Sequence, residues 1–379
     1  MTSGLRIALC ASAKTSGGGH VFAKNLIEAI SRNEQVDSVT LFLHGGDGSA
    51  PMPHNVKVVN IPASRTKLLE RLTRAGRLRR SVRQYELDVM IFPGTEISRA
   101  GSFLHIYWPL TVAPQEHEAV LALATTRIRR IRWWALRERI RFVSKRADAT
   151  VYSSNYARNL YERQYPRLSR MPSKVIWPAP SLTDQALVAP NSNRRPAQIL
   201  FVSHLYPYKK AVEMVIAFGM AVKTGLIDSE LVIAGNPADS EYYELLKHAI
   251  DSTGIRDQIM VLGNVDQDKL KSLYQSADLF LFPSISENAG SFALIDAFRY
   301  GVPVMSSDRS SMPEMCGSSA IYFNPTNPTA LSRLLVEFFN SEEMQKEYAV
   351  RSRKQFENYP TWEQISDSLV EFLSQLKRG

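Results

Sequence analysis

A chain of 379 residues is long enough for two hydrophobic cores, since single domains commonly run about 100 to 200 residues. Its hydrophobic share of 44% and charged share of 22% are ordinary for a globular protein, and no apolar run is long enough to predict a membrane-spanning helix. With only Cys10 and Cys316 there is no disulfide framework and no cysteine-type metal spacing, while 46 Lys and Arg against 37 Asp and Glu leave a net charge of +9 that needs a partner or a purpose.

The N-terminal stretch has the short apolar run of a weak signal peptide, but Leu5 to Cys10 reads better as a first β-strand. A glycine cluster at Ser16 to Gly19 and an amphipathic helix from about Val21 to Ser31 follow it as one βα unit. Glycines there let the backbone approach a ligand closely, so Gly18, Gly19 and His20 are candidates, although the spacing is not GxGxxG. Further strands are expected at Ser38 to Leu43, Val56 to Ile61, Val89 to Phe92, Phe103 to Tyr107, Ala149 to Tyr152 and Lys174 to Trp177. Two basic segments lie among them. Arg65–Arg83 holds eight Lys or Arg against one acid and Arg127–Arg146 nine against one, with Leu68, Leu72, Ala75, Ile128, Ile131 and Trp134 at helical spacing. Such a surface reads as docking to anionic lipid headgroups, the alternative being solvated helices whose apolar side is core. Nucleic acid is not an expected partner, because no recognised module or interleaved aromatics accompany the charge.

Pro178 to Pro196, with four prolines and many polar residues, has linker composition. The expected division is 1–180, a linker 181–196, and 197–360, with a C-terminal helix in 361–379. In the second half strands are expected at Ile199 to Ser203, Leu231 to Ala234, Ile259 to Leu262, Leu279 to Phe282, Val302 to Ser306 and Ala320 to Phe323. Strands alternating with helices in both halves predict α/β architecture with parallel, helix-covered sheets. The helix after Ile199 should turn Val212, Val215, Ile216 and Ala217 inward. Asp266 and Asp268 form a DxD, but a helix N-cap with a first-turn acid explains both without a metal.

The most specific signal is LFLFPSISENAGSFALIDAFRYGVPVM, Leu279 to Met305. A buried strand ends at Pro283, Gly290 permits a tight turn, and a helix starting near Ser291 or Phe292 points its N–H groups and positive dipole end back at the loop, which suits a diphosphate. Glu287 and Asp296 flank that position and more plausibly accept hydrogen bonds from sugar hydroxyls or backbone N–H groups than touch phosphate. Taken alone, Glu287 could equally be a solvated loop acid and Asp296 a surface residue.

This segment resembles the donor-binding signature of the family 4 glycosyltransferases, in which two acids separated by seven residues precede a GxPV strand. Here eight residues separate Glu287 from Asp296, the second acid is shortened, and Asn288 rivals Glu287 for the first position. The resemblance implies the GT-B fold, two Rossmann-like domains whose parallel sheets face across a cleft. It also implies that Asp296 holds the ribose and Glu287 lies near the donor sugar. The family has Arg and Lys in the loop after the strand at Ile199. Lys209 fits the Lys position, His204 stands where Arg is usual, and Lys210 could take over the missing charge. By the same resemblance Gly263, Asn264 and Val265 meet the nucleobase, Ser291 and Phe292 the phosphates, and Gly18 and Gly19 the phosphates and acceptor. His105, or failing it Ile106, Tyr107 or His117, would touch the transferred sugar.

The function so implied is a retaining, metal-independent, cofactor-free hexosyltransferase. It would use a nucleotide diphosphate sugar of GDP-mannose or GDP-rhamnose type and a saccharide acceptor, lipid-linked, in bacterial O-antigen or lipopolysaccharide assembly on the inner face of the cytoplasmic membrane. The alternatives are a sugar-nucleotide-binding partner without transfer activity, motivated by His204, the lengthened acidic loop and WPAP at Trp177 to Pro180, or a nucleotide-sugar epimerase.

Overall fold

In the computed structural model the described residues are 4–12, 18–44, 52–61, 76–93, 101–180, 196–289 and 291–378. Contacts divide the chain into two compact units, Met1–Gln115 with Ile131–Ala179 and Pro360–Gly379, and Glu116–Arg130 with Pro180–Tyr359. Most of the linker predicted at 181–196 falls outside the described residues.

The first unit is built on seven parallel strands: β1 (Leu5–Ser12), β2 (Val36–His44), β3 (Val56–Ile61), β4 (Val89–Phe92), β5 (Leu104–Tyr107), β6 (Ala149–Tyr152) and β7 (Ser173–Val175). Their order is β3-β2-β1-β4-β5-β6-β7, so the winding reverses between β1 and β4, where Ile7 pairs with Val39 on one side and Val89 on the other. All four residues of β4 and of β6 are buried, as expected of strands covered on both faces. The second unit repeats the plan with β8 (Ala197–Val202), β9 (Ser229–Ala234), β10 (Ile259–Gly263), β11 (Leu279–Phe282), β12 (Val304–Ser307) and β13 (Ala320–Phe323). They lie in the order β10-β9-β8-β11-β12-β13, with the reversal between β8 and β11. Its core joins Phe201, Leu231, Ile233 and Leu281 to the helix Ala211–Val222 through Met214, Val215 and Phe218. That spacing corrects one expectation: Ile216 points outward at 38% exposure, because a helix facing the sheet with 214, 215 and 218 turns 216 away.

Segment 116–130, expected in the first domain, groups with the second unit. Its helix His117–Leu123 packs on the turn at Pro207–Lys209, and Arg129 pairs with Asp239 at 3.1 Å and Glu241 at 3.2 Å. Of the basic stretch Arg65–Arg83, residues 65–75 lie outside the described residues. In the helix at 76–82 Leu78 and Val82 are buried, so there the apolar side is core.

The C-terminal helix Trp362–Arg378 packs on the helix Gly18–Ser31, with Trp362 edge-on to Phe22 at 5.9 Å and Ile365, Leu369 and Leu373 buried. Its last turn reaches Asp88, whose carboxylate meets Lys377 at 2.9 Å and Arg6 at 3.2 Å. Burial disfavours the Asp88 charge, yet the Arg6 side chain and N–H and then Lys377 win, holding its carboxyl down from 3.8 to about 2. A depressed carboxyl pKa stabilises the fold above its unfolded value, and that contribution disappears as pH falls from about 4 to about 2. Asp88→Asn should therefore lose on the order of 1 to 2 kcal/mol at neutral pH, allowing for partial solvent screening, and should match wild type near pH 2. Denaturant titrations at the two pH values measure this.

Candidate functional site

The reversal between β8 and β11 leaves the loops following these two strands on opposite sides of a crevice at their carboxyl ends, where open α/β sheets take ligands. The Tyr208 carbonyl ties the two loops together, accepting from the Ile285 N–H at 2.9 Å and from Ser284 Oγ at 3.5 Å. Across the junction the Lys209 ammonium meets the Glu287 carboxylate in a direct ion pair, with side chains 9% and 10% exposed. The ammonium also lies 5.2 Å from the Tyr208 ring centre and 5.4 Å from that of Phe282, so it sits in an aromatic-walled niche. Burial first, and then the negative charges of Glu287 and Glu116, push the Tyr208 hydroxyl above its ordinary range, so it remains a neutral wall at working pH.

Glu287 is held by its main chain. Its N–H donates to Ser310 Oγ at 2.9 Å, and that hydroxyl lies 2.7 Å from both the Glu287 carbonyl and Glu116 Oε1. One hydroxyl proton serves one of those acceptors at a time. Among the described residues the non-glycine positions with left-handed backbone are Lys210, φ 58°, and Ser310, φ 57°. Both adjoin the ion pair, and such strain persists where surrounding structure enforces it. The Lys210 ammonium reaches forward to Glu213 at 2.6 Å, so here its charge serves the first turn of the helix Ala211–Val222. Beneath the same loop, Gly235 lies so close to β8 that a Cβ on it would sit 1.8 Å from the Ser203 carbonyl oxygen. Only glycine lets these two strand ends approach so closely.

The other predicted donor residues spread along the same sheet edge. His204 is half-buried in the loop after β8, while after β10 Asn264 is exposed and Val265 half-buried. Gly263, φ 67°, accepts from the Gly235 N–H at 2.7 Å. Ser291 is the N-cap of the helix Phe292–Arg299, its Oγ accepting from the Ala293 N–H at 3.2 Å and its carbonyl from Leu294 and Ile295. Asn288 is half-buried, and Gly290 lies outside the described residues. Asp296 is 1% exposed, which rules out the surface reading for it, and its charge adds to burial in raising the hydroxyl of Tyr274.

In the first unit Gly18 and Gly19 open the helix Gly18–Ser31 instead of preceding it. His105 departs further from expectation. It lies in the core at 4% exposure, its ring between Phe92 and Phe103 and its Nδ1 3.2 Å from Asp148 Oδ2. The geometry is that of a structural histidine tying β5 to the turn before β6, while His117 is exposed at the start of its helix. Asp266 caps the helix Gln267–Ser276 by accepting from the Lys269 N–H at 2.8 Å, and Asp268 is 97% exposed. No group of His, Cys, Asp or Glu suited to a metal ion occurs among the described residues. Both cysteines are buried, and burial pushes the Cys316 thiol up to about 12.

Sequence reasoning missed Ser310, Glu116 and Ser286 as members of the site. Ser286, 4% exposed, carries a hydroxyl with no hydrogen-bond partner among the described residues. Serines carry no pattern of their own, and Ser310 stands 23 positions from Glu287.

Residues 184–355 match the family described as Glycosyl transferases group 1. The chain thus carries a glycosyl transferases group 1 domain, comprising most of its second unit. An uncharacterized glycosyltransferase of Methanocaldococcus jannaschii is 33% identical over 176 residues, 45% of this chain and 43% of that protein. The O-antigen chain mannosyltransferase B of Escherichia coli is 22% identical over 173 residues, 45% of this chain and 44% of that protein. The matched segments thus span less than half the length of these relatives. Across both units the fold is that of sucrose-phosphate synthase from Thermosynechococcus elongatus, with TM-score 0.77, 17% identity, and 98% and 99% of the two chains covered. The architecture is GT-B, two α/β units with parallel sheets.

Replacing Ser310 with Ala removes the acceptor of the Glu287 N–H while keeping the left-handed backbone, which should cost about 1 to 3 kcal/mol. Thermal denaturation beside an unchanged circular dichroism spectrum checks it; equal stability would show that water replaces the hydroxyl.

Proposed function

We propose that this protein is a retaining hexosyltransferase that takes a sugar from a nucleotide diphosphate donor. The observation that carries the reading is the buried ion pair of Lys209 and Glu287 at the β8–β11 reversal, within a glycosyl transferases group 1 domain. A lysine held there can exchange its carboxylate partner for a diphosphate of higher charge. The helix beginning at Phe292 adds its positive dipole end, through Ser291 and Phe292.

In the proposed reaction the bond between the anomeric carbon and the β-phosphate oxygen breaks as Lys209 and His204 neutralise the departing diphosphate. The acceptor hydroxyl adds on the same face, and its proton passes to the leaving phosphate, so no separate base or metal is required. Glu287, released from Lys209, orients the sugar, with Asn288 and Gly290 in the same loop. Asp296 accepts from the ribose hydroxyls, and the chain around Asn264 and Val265 meets the base. Gly18 and Gly19 are the proposed contribution of the first unit. The relative named as an O-antigen chain mannosyltransferase supports a mannose donor and a saccharide acceptor of O-antigen assembly, and we take the nucleotide to be GDP. We place the acceptor on a lipid carrier and the protein at the inner face of the cytoplasmic membrane.

Incubation with UDP-, GDP-, ADP- and TDP-sugars, with and without lipid-linked saccharide, tests the reading. Wild type should hydrolyse one donor slowly and transfer it faster to acceptor, and Lys209→Ala should lower kcat at least about 100-fold with the fold intact. Near-normal turnover in that variant contradicts the mechanism. Binding without turnover identifies a partner protein, and a converted sugar nucleotide an epimerase.

A further inference from the structure

The helix Arg127–Ser144 has two apolar sides, and only one of them is used by the core. Ile140 and Val143 are buried among the side chains of the first unit. On the opposite side Ile128, Ile131 and Trp134 are each 64% exposed and Phe142 is 51% exposed. At 3.6 residues per turn these four fall within an arc of about 120°, which Glu138 shares, one turn from Trp134 and one from Phe142. Arginines border the stripe on both edges, Arg132 and Arg139 along one and Arg137 and Arg141 along the other, all exposed. Glu138 is the single acid of the helix and pairs with Arg141 at 3.8 Å, while the Arg146 guanidinium covers the Phe142 ring at 3.3 Å.

We propose that this face lies in the headgroup layer of an anionic membrane, with Ile131, Trp134 and Phe142 entering the acyl boundary and the flanking arginines bound to lipid phosphates. The pattern matches what a helix lying in the membrane plane needs: an apolar centre, an aromatic ring with a polar edge, and cations on both shoulders. A second copy of the chain fits poorly, because it would bring the same arginine rows against each other. Nucleic acid fits poorly too, because the centre of the surface is aliphatic and not cationic. No helix among the described residues is long and apolar enough to cross a membrane, so the attachment proposed is peripheral. The inference is independent of the transferase reading, since docking needs neither donor nor acceptor.

The test is flotation of the full chain with vesicles of phosphatidylcholine alone and with phosphatidylglycerol added, at about 0.15 M salt. The expected result is binding to the anionic vesicles only, reduced at least about tenfold in the double variant I131E/W134E. The control Val350→Glu, at a position 63% exposed on another helix, should bind as wild type does. Because all three positions are exposed, melting curves should not change. No binding by wild type overturns the proposal, as does undiminished binding of I131E/W134E. A dimer seen by light scattering and abolished by the same double variant would assign the face to a second copy instead.

Discussion

Two opposite charges withdrawn from water, the Lys209 ammonium and the Glu287 carboxylate, set the terms for the second unit. A buried ion pair is a poor source of stability, because desolvation cancels much of the attraction, and breaking it by removing one partner costs about 3 to 5 kcal/mol. Its persistence at the end of two parallel strands therefore points to use and not to support. Around the pair the protein has arranged what such a group requires: ring faces of Tyr208 and Phe282 against the ammonium, and Ser310 fixing the main chain of the carboxylate.

Holding the pair has a structural cost, and its location is informative. Left-handed backbone at Lys210 and Ser310 and the glycine-only contact of Gly235 with Ser203 all lie in loops at the carboxyl ends of the second sheet, after β8, β12 and β9. Elsewhere the second unit is regular, with the strands β11 and β12 fully buried and capped helices such as those opened by Asp239, Asp266 and Ser341. On the proposed reading, regular scaffold and strained rim together orient the Lys209 charge before a diphosphate arrives. The first unit keeps its own partly exposed polar anchor, where Arg6 and Lys377 converge on Asp88 and bind the C-terminal helix to the starts of the central strands β1 and β4.

All thirteen strands among the described residues were legible in the sequence, because runs such as β3, β4, β6, β11 and β13 are short and apolar or β-branched and end in turn residues, and the remaining boundaries shift by one or two residues. The helix start at Asp266 followed from capping chemistry, and the one at Ser291 from the turn expected at Gly290. What failed was whatever depended on distance in space. His105 offered a titratable ring at a strand end, and only the tertiary placement of Phe103 and Asp148 shows it to be core. Ile216 looked inward from its hydrophobicity, and the helix's rotation sends it outward. The transfer of 116–130 to the second unit rests on Glu116 with Ser310 and Arg129 with Asp239, pairs too distant in sequence for any local pattern to carry. The signature of the acidic loop pointed to the loop that holds Glu287. It could not show that Glu287 and Lys209 would neutralise each other.

The account stands on Lys209 as the cation that a diphosphate captures from Glu287, and calorimetric titration of GDP and UDP into wild type and Lys209→Met tests it directly. Wild type should bind one of the two nucleotides, and Lys209→Met should bind it at least about tenfold more weakly while keeping its fold. Equal affinity in the two proteins would mean that the diphosphate, if it binds, is held by other groups and that the buried pair is structural.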